Sequence, residues 1–294
     1  MKQPWLKSLT VFALSAITTF NPLVIEAGVA QEISALPPPN FEPIDIYVPP
    51  PERLTDGVCP ASLDFFIDAI IDTPTFRSAK WGILVESLDR QVLYSKNPTT
   101  RLIPASNTKL LTTAAALQRL DINTARIRGS SLTSWVTTTN RDSNNNYSEI
   151  LLRFIGGASA ARQSLTQLGV NSNGFRQADG SGLSRSNSIS PDALIDLLQA
   201  MTSAKGSDVF YQSLPVGGVS GTLRRRFRNT AAQGKVRAKT GTLRGVRALS
   251  GYLEHPEYGR VVFSILINQP GQSGTTMLRA IDDVVLQLTK LTRC

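Results

Sequence analysis

The sequence predicts an α+β domain: an antiparallel sheet assembled from both ends of the domain, terminal helices packed on one face, and a helical subdomain inserted in the middle. Three observations carry this. Strand-like runs rich in β-branched residues occur at about 80–97 and again at 235–269. The residues between 106 and 214 read mostly as helix, and amphipathic segments flank the whole at 59–72 and 274–291. Strands grouped apart from helices belong to α+β architectures, whereas strict alternation would signal a parallel sheet. At 294 residues, 41% of them hydrophobic, the chain can bury a core of ordinary size.

Each element follows from local chemistry. In "MKQPWLKSLTVFALSAITTFNPLVIEAGVAQ", Lys2 and Lys7 precede an apolar stretch that closes on the small residues Gly28 and Ala30. This is the pattern of a secretory signal, residues 1–30, cut after about Ala30. Asn21 and Pro22 interrupt the run and argue against a lasting span, an uncleaved anchor being the alternative. Residues 31–58 contain "LPPPNFEPIDIYVPPPERL", which has neither helical nor alternating period and reads as an extended linker. The folded domain is expected at 59–294.

Within it, "CPASLDFFIDAIID" fits a helix that Thr73-Pro74 ends. "KWGILVESLD" and "QVLYSKN" are two strands around an Asp89-Arg90 turn, a hairpin. A helix is expected from Ser106 to about Leu120, with polar loops later at 140–146 and 178–188. "KVRAKTGTL", "GVRALSGYLEH" and "RVVFSILINQ" are short strands joined by Gly-containing turns, with His255 near a hairpin turn. "GTTMLRAIDDVVLQLTKL" closes the chain as an amphipathic helix.

The two cysteines, Cys59 and Cys294, bracket this domain. An exported chain can keep a disulfide, and the ends of compact domains often lie close, so the two are expected to pair. Two separate free thiols are the alternative. With one histidine and two distant cysteines the sequence suggests no metal site and no cofactor. The formal charge of +9 fits attraction to an anionic wall polymer or a membrane surface. The densest basic run, "LRRRFRN" at 223–229, is short and has one aromatic, so it reads as a solvated face and not as a nucleic-acid site.

Three short motifs carry chemistry: Ser106-Asn107-Thr108-Lys109, then Ser143-Asn144-Asn145, then Lys239-Thr240-Gly241. S-x-x-K and S-x-N each arise by chance on the order of once in such a chain, and K-T-G well under once. Their occurrence together, in this order and on these elements, is far less accidental. On a helix Ser106 and Lys109 share a face. A serine hydroxyl needs a base, and a buried amine beside a second cation can serve because both effects lower its pKa.

The motifs resemble those of the serine acyl-transferases that include penicillin-binding proteins and β-lactamases. The flanking text is similar to one branch, the D-alanyl-D-alanine carboxypeptidase/endopeptidases of low-molecular-mass class C. "PASNTKLLTTAAAL", "NRDSNNNYSEILLRFIG", "DGSGLSRSNSISP" and "GKVRAKTGTLRGVRALSGYL" carry the likeness, which runs from about Cys59 to Cys294. The resemblance implies a β-lactamase/transpeptidase-like fold, in the periplasm or at the wall, acting on peptidoglycan peptides that end in D-Ala-D-Ala. It implies β-lactams as covalent inhibitors. Ser106 would be the nucleophile, Lys109 its base with Lys239 as the neighbouring cation, and Ser143 the proton shuttle to the leaving amine. Asn145 would hold a substrate amide, and Lys239 with Thr240 or Thr242 the terminal carboxylate. The oxyanion would lie between the N–H groups of Ser106 and Thr242. Gly241 would leave room for substrate against the strand edge. Asp179, Gly180 and Gly182 read first as a turn capping the next helix, and second as cleft wall.

Only 37 positions separate Ser106 from Ser143, where that branch usually carries inserted domains. Two rival readings follow. One is a β-lactamase, although no E-x-x-L-N stretch follows the second motif. The other is a non-catalytic penicillin- or wall-binding module.

Overall fold

The computed structural model describes residues 57–294; the expected signal and all but the end of the Pro-rich stretch lie outside the described residues. The helices are α1 (Leu63–Ile71), α2 (Thr108–Arg119), α3 (Leu132–Arg141), α4 (Asn145–Phe154), α5 (Gly157–Gln167), α6 (Pro191–Ala200), α7 (Ser207–Ser213) and α8 (Gly274–Leu288). The strands are β1 (Lys80–Ser87), β2 (Val92–Lys96), the two-residue β3 (Arg126–Ile127), β4 (Ser130–Ser131), β5 (Phe175–Arg176) and β6 (Ser188–Ile189), then β7 (Val236–Leu243), β8 (Val246–His255) and β9 (Gly259–Asn268).

Five strands form one antiparallel sheet in the order β2-β1-β9-β8-β7. Both faces are covered, so β1 is buried along all but its first residue. The side chains of β1 part by their period of two: Leu84 joins the core under α2–α7, while Ile83 and Val85 join the core under α1 and α8. Helix α1 buries Leu63, Ile67 and Ile71, spaced four apart along one stripe. Helix α8 buries Met277, Ala280, Ile281, Val284, Val285 and Leu288 on the same face of the sheet. Full burial of each large apolar side chain contributes about 1.5–3 kcal/mol. The α+β architecture with terminal helices on one face and a helical subdomain on the other is therefore present.

Two elements differ from the sequence reading. Ser106 does not lie in the first turn of α2: Ala105–Asn107 form a separate 3-10 turn, and the helix begins at Thr108. The loop expected at 140–146 is shorter, since α3 runs to Arg141 and α4 starts at Asn145. Asn144 caps α4 by accepting the Tyr147 N–H at 3.0 Å. Cys59 and Cys294 form a disulfide, with Cα atoms 5.8 Å apart. Backbone bonds from Val58 N–H to Lys290 and from Thr292 N–H to Val58 join the ends beside it.

Candidate active site

The turn carrying Ser106 is held from several sides. Asn107, fully buried, donates to Ser250 Oγ on β8 at 2.8 Å, and Ile103 N–H donates to Asn268 Oδ1 on β9 at 2.9 Å. Ala105, just before the serine, has φ 49°, a left-handed conformation that costs a residue with a Cβ about 1 kcal/mol. Two glycines brace it. A Cβ on Gly241 would sit 2.5 Å from the Pro104 carbonyl oxygen, and one on Gly182 would sit 1.9 Å from that of Ala105. Gly241 thus makes room for the serine-bearing turn, not for a substrate as the sequence reading had it.

Lys109, one helical turn on and fully buried, places Nζ 2.9 Å from Ser106 Oγ, 2.7 Å from Asn145 Oδ1 and 2.6 Å from the Ser181 carbonyl. A neutral amine has two N–H donors and one lone pair. The amide and peptide oxygens can only accept, so they take both donors and the lone pair is left facing the Ser106 hydroxyl. Burial lowers Lys109 to about 8, and the carboxylates of Asp179 and Glu149 pull it partly back.

Lys239 on β7 is also fully buried and reaches Ser143 Oγ at 2.9 Å and the Thr240 carbonyl at 3.1 Å. Burial pushes its ammonium well down, and the charge of Lys109 pushes it further. Repulsion between two ammonium groups is mutual, so the pair titrates as a unit with fewer protons than two isolated lysines. For Lys109 itself burial is the cause of the lowering, whereas the sequence reading had set the Lys239 cation beside it. Ser143, at φ 55°, bridges α3 and α4 so that its hydroxyl meets Lys239.

β7 is one of the two edge strands, and residues 215–217 cover only its start. Gly217 N–H donates to Val236 and Ala238 N–H to Pro215. Backbone groups two residues apart point to the same side of a strand, so the N–H groups of Thr240 and Thr242 also point off this edge. Beyond the covered part the edge borders a cavity of about 330 Å³ lined by Ser106, Ser143, Asn145, Thr240 and Thr242. Five of the eight residues expected in the site therefore face one cleft. Lys109 and Lys239 lie beneath it, and Gly241 supports it from the side.

For the 178–187 loop the second of the two sequence readings, cleft wall, fits better than the first, and Leu183, Thr222 and Arg226 were missed. The 178–187 loop does not cap α6, whose N-cap is Ser190. Instead Gly182 and Leu183 line the cavity, and Asp179 accepts the N–H groups of Gly182 at 2.7 Å and Ser184 at 2.6 Å. Thr222 lines it too and accepts a hydrogen bond from Thr240 Oγ1 at 2.8 Å. The basic run is only partly a solvated face: Leu223 and Phe227 enter the core, while Arg226 lines the cleft and its Nε donates to Asp282 Oδ1 at 2.9 Å. The spacing of Leu223 and Phe227 was the available signal.

Comparison with known proteins agrees with this geometry. The D-Ala-D-Ala carboxypeptidase 3 (S13) family matches residues 63–130 and 124–290. A D-alanyl-D-alanine carboxypeptidase of Actinomadura sp. (strain R39) is 42% identical over 164 residues, 50% of this chain and 30% of that protein. The penicillin-sensitive carboxypeptidase A of Dictyostelium discoideum is 33% identical over 190 residues, 58% of this chain and 36% of that protein. The matched part thus spans about a third of these relatives' length. Among solved structures, penicillin binding protein 4 (DacB) of Haemophilus influenzae, complexed with a β-lactam, superposes with a TM-score of 0.65 at 13% identity, over 78% of this chain and 99% of that one. A β-lactamase of Desulfarculus baarsii superposes at 0.66 and 18% identity, over 79% and 98%. These two are likenesses of fold. The family match spans nearly all of the described domain, and the chain belongs to the D-Ala-D-Ala carboxypeptidase 3 (S13) family.

Proposed function

We propose that the protein is a serine-type D-Ala-D-Ala carboxypeptidase acting on peptidoglycan stem peptides outside the cytoplasm. The observation that carries this is the placement of Lys109 Nζ, its two donors taken by Asn145 and Ser181, 2.9 Å from Ser106 Oγ. Lys109 takes the hydroxyl proton as Ser106 Oγ bonds to the carbonyl carbon of the penultimate D-alanine. The N–H groups of Ser106 and Thr242 hold the oxyanion; losing one such donor commonly costs about 10²–10³ in rate. The terminal D-alanine departs as its amine gains a proton through Ser143, which Lys239 orients. Water then cleaves the acyl ester, restoring the Ser106 hydroxyl and releasing a carboxylate. Asn145 would hold the substrate amide, and Thr240 and Thr242, with Lys239 behind them, its terminal carboxylate. Endopeptidase action on crosslinks uses the same steps, and β-lactams would acylate Ser106.

The test has two parts. Fluorescent penicillin should label the wild type and not Ser106→Ala, and a D-Ala-D-Ala peptide should release D-alanine. Equal labelling of both proteins would refute the nucleophile. Labelling without D-alanine release would favour a penicillin-binding module. Sustained turnover of a chromogenic β-lactam would favour the β-lactamase reading.

A further inference from the structure

The Ser181 carbonyl that receives one Lys109 donor belongs to a loop with no regular ladder to hold it, so something else must aim it. Glu149 does so. It lies four residues after Asn145 on α4, and so one turn along the same helix. Its Oε1 accepts the Ser181 N–H at 2.9 Å and its Oε2 the Gly180 N–H at 3.1 Å. The Gly180 carbonyl in turn accepts the hydroxyls of Ser148, also on α4, and of Thr112 on α2, the latter at 2.9 Å. Two consecutive peptide units are thereby clamped between the helix that supplies Asn145 and the helix that supplies Lys109. The fork of a carboxylate fits two adjacent N–H groups, and charge-assisted bonds of this kind are roughly twice as strong as neutral ones.

We propose that Glu149 is a positioning residue for acyl transfer: through the Gly180–Ser181 amides it aims the Ser181 carbonyl at Lys109 and so turns the amine lone pair towards Ser106. This rests on the reading of Ser106 and Lys109 as nucleophile and base. Glu149 also places negative charge near the amine. The charged groups facing Lys109 are Glu149 from α4, Asp179 from the loop and Lys239 from β7, and the two carboxylates oppose the effect of burial. Glu149 therefore acts in two separable ways, by geometry and by charge.

Two variants separate them. Glu149→Gln keeps the shape and one acceptor but removes the charge. Glu149→Asp keeps the charge but draws the acceptors back by one methylene. The rate of acylation by fluorescent penicillin is measured from pH 5 to 10, together with the titration of ¹³Cε-labelled Lys109, assigned by its loss in Lys109→Arg. In Glu149→Gln the acidic limb and the Lys109 midpoint should both move down by about half a pH unit or more, and the plateau should fall about tenfold. In Glu149→Asp the plateau should fall with the limb in place. An unmoved Lys109 midpoint in Glu149→Gln overturns the inference, whether or not the protein is active. So does wild-type plateau acylation in both variants. A smaller labelled fraction whose molecules react at the wild-type rate and pH marks a merely structural role and also overturns it. Ser106-independent labelling of the wild type instead strikes the function, while the Lys109 titration still decides the role of Glu149.

Discussion

Gly182 lies against the carbonyl of Ala105, so close that a Cβ on the glycine would stand 1.9 Å from the oxygen. Gly182 has φ +84° and Ala105 φ 49°, so the residue before Ser106 and its neighbour across the cleft are both left-handed. Gly182→Ala adds a backbone clash to a strained conformation. The serine turn and the loop must separate, and a displacement near 1 Å can cost about 10²-fold in rate. Stopped-flow labelling should show a loss of that order in folded protein. Wild-type labelling would mean that the two segments part without disturbing Ser106.

The Lys109 value of about 8 gives a signed pH dependence. As the proposed base, Lys109 would act when neutral, so about a tenth of molecules would be competent at pH 7 and about a hundredth at pH 6. Acylation should therefore rise nearly tenfold per unit from pH 6 and level off above about 8. A profile already flat at pH 6 would place the proton acceptor elsewhere.

Lys239 is a buried lysine whose ammonium is held well down by burial and by Lys109. The unfolded chain binds the proton that the folded form sheds, so this group's penalty is full below its lowered folded-state value and is relieved as pH rises from there towards 10.5. Lys239→Met removes that penalty. It should abolish penicillin labelling while raising the thermal midpoint at pH 7 by a few degrees, in line with the gains of about 1–4 kcal/mol seen when buried charges become apolar. A lower midpoint would show that the bond to Ser143 outweighs the cost of burial.

Cys59 and Cys294 close a separation of 235 residues. Chain-entropy arguments put the loss on opening so long a loop at about 5 kcal/mol at most. Cys59→Ser should lower the thermal midpoint by roughly 5–15 °C. Labelling per folded molecule at 25 °C should not change, because the bridge joins the ends of the domain and none of its atoms lines the cleft. Calorimetry with and without reductant checks the first statement, and active-site titration the second.

The legible parts of the site were those written in side chains at short spacing. Ser106 and Lys109 meet because they are three apart, and the Asp89-Arg90 turn joins β1 to β2 as its residues require. The parts that were not legible rest on main-chain atoms. The Ser181 carbonyl, 72 residues beyond Lys109, leaves no mark on residue type, and nothing in the identity of Glu149 announces that it binds two peptide N–H groups. Gly241 was noticed for its small size, but the direction of its missing Cβ depends on which segment packs there. Arg226 was taken for a solvated cation because its partner, Asp282, lies 56 residues away on α8.

The strand order makes the two sides of the sheet depend on one strand. β9, the last in chain order of the described strands, occupies the centre of the sheet, between the β1–β2 hairpin and β8. A copy halted before residue 259 owns the serine and both lysines, yet it has no middle strand to hold the β1 side against the β8 side. A chain cut at that point therefore carries the serine and both lysines without the strand that joins the two sides of the sheet beneath them.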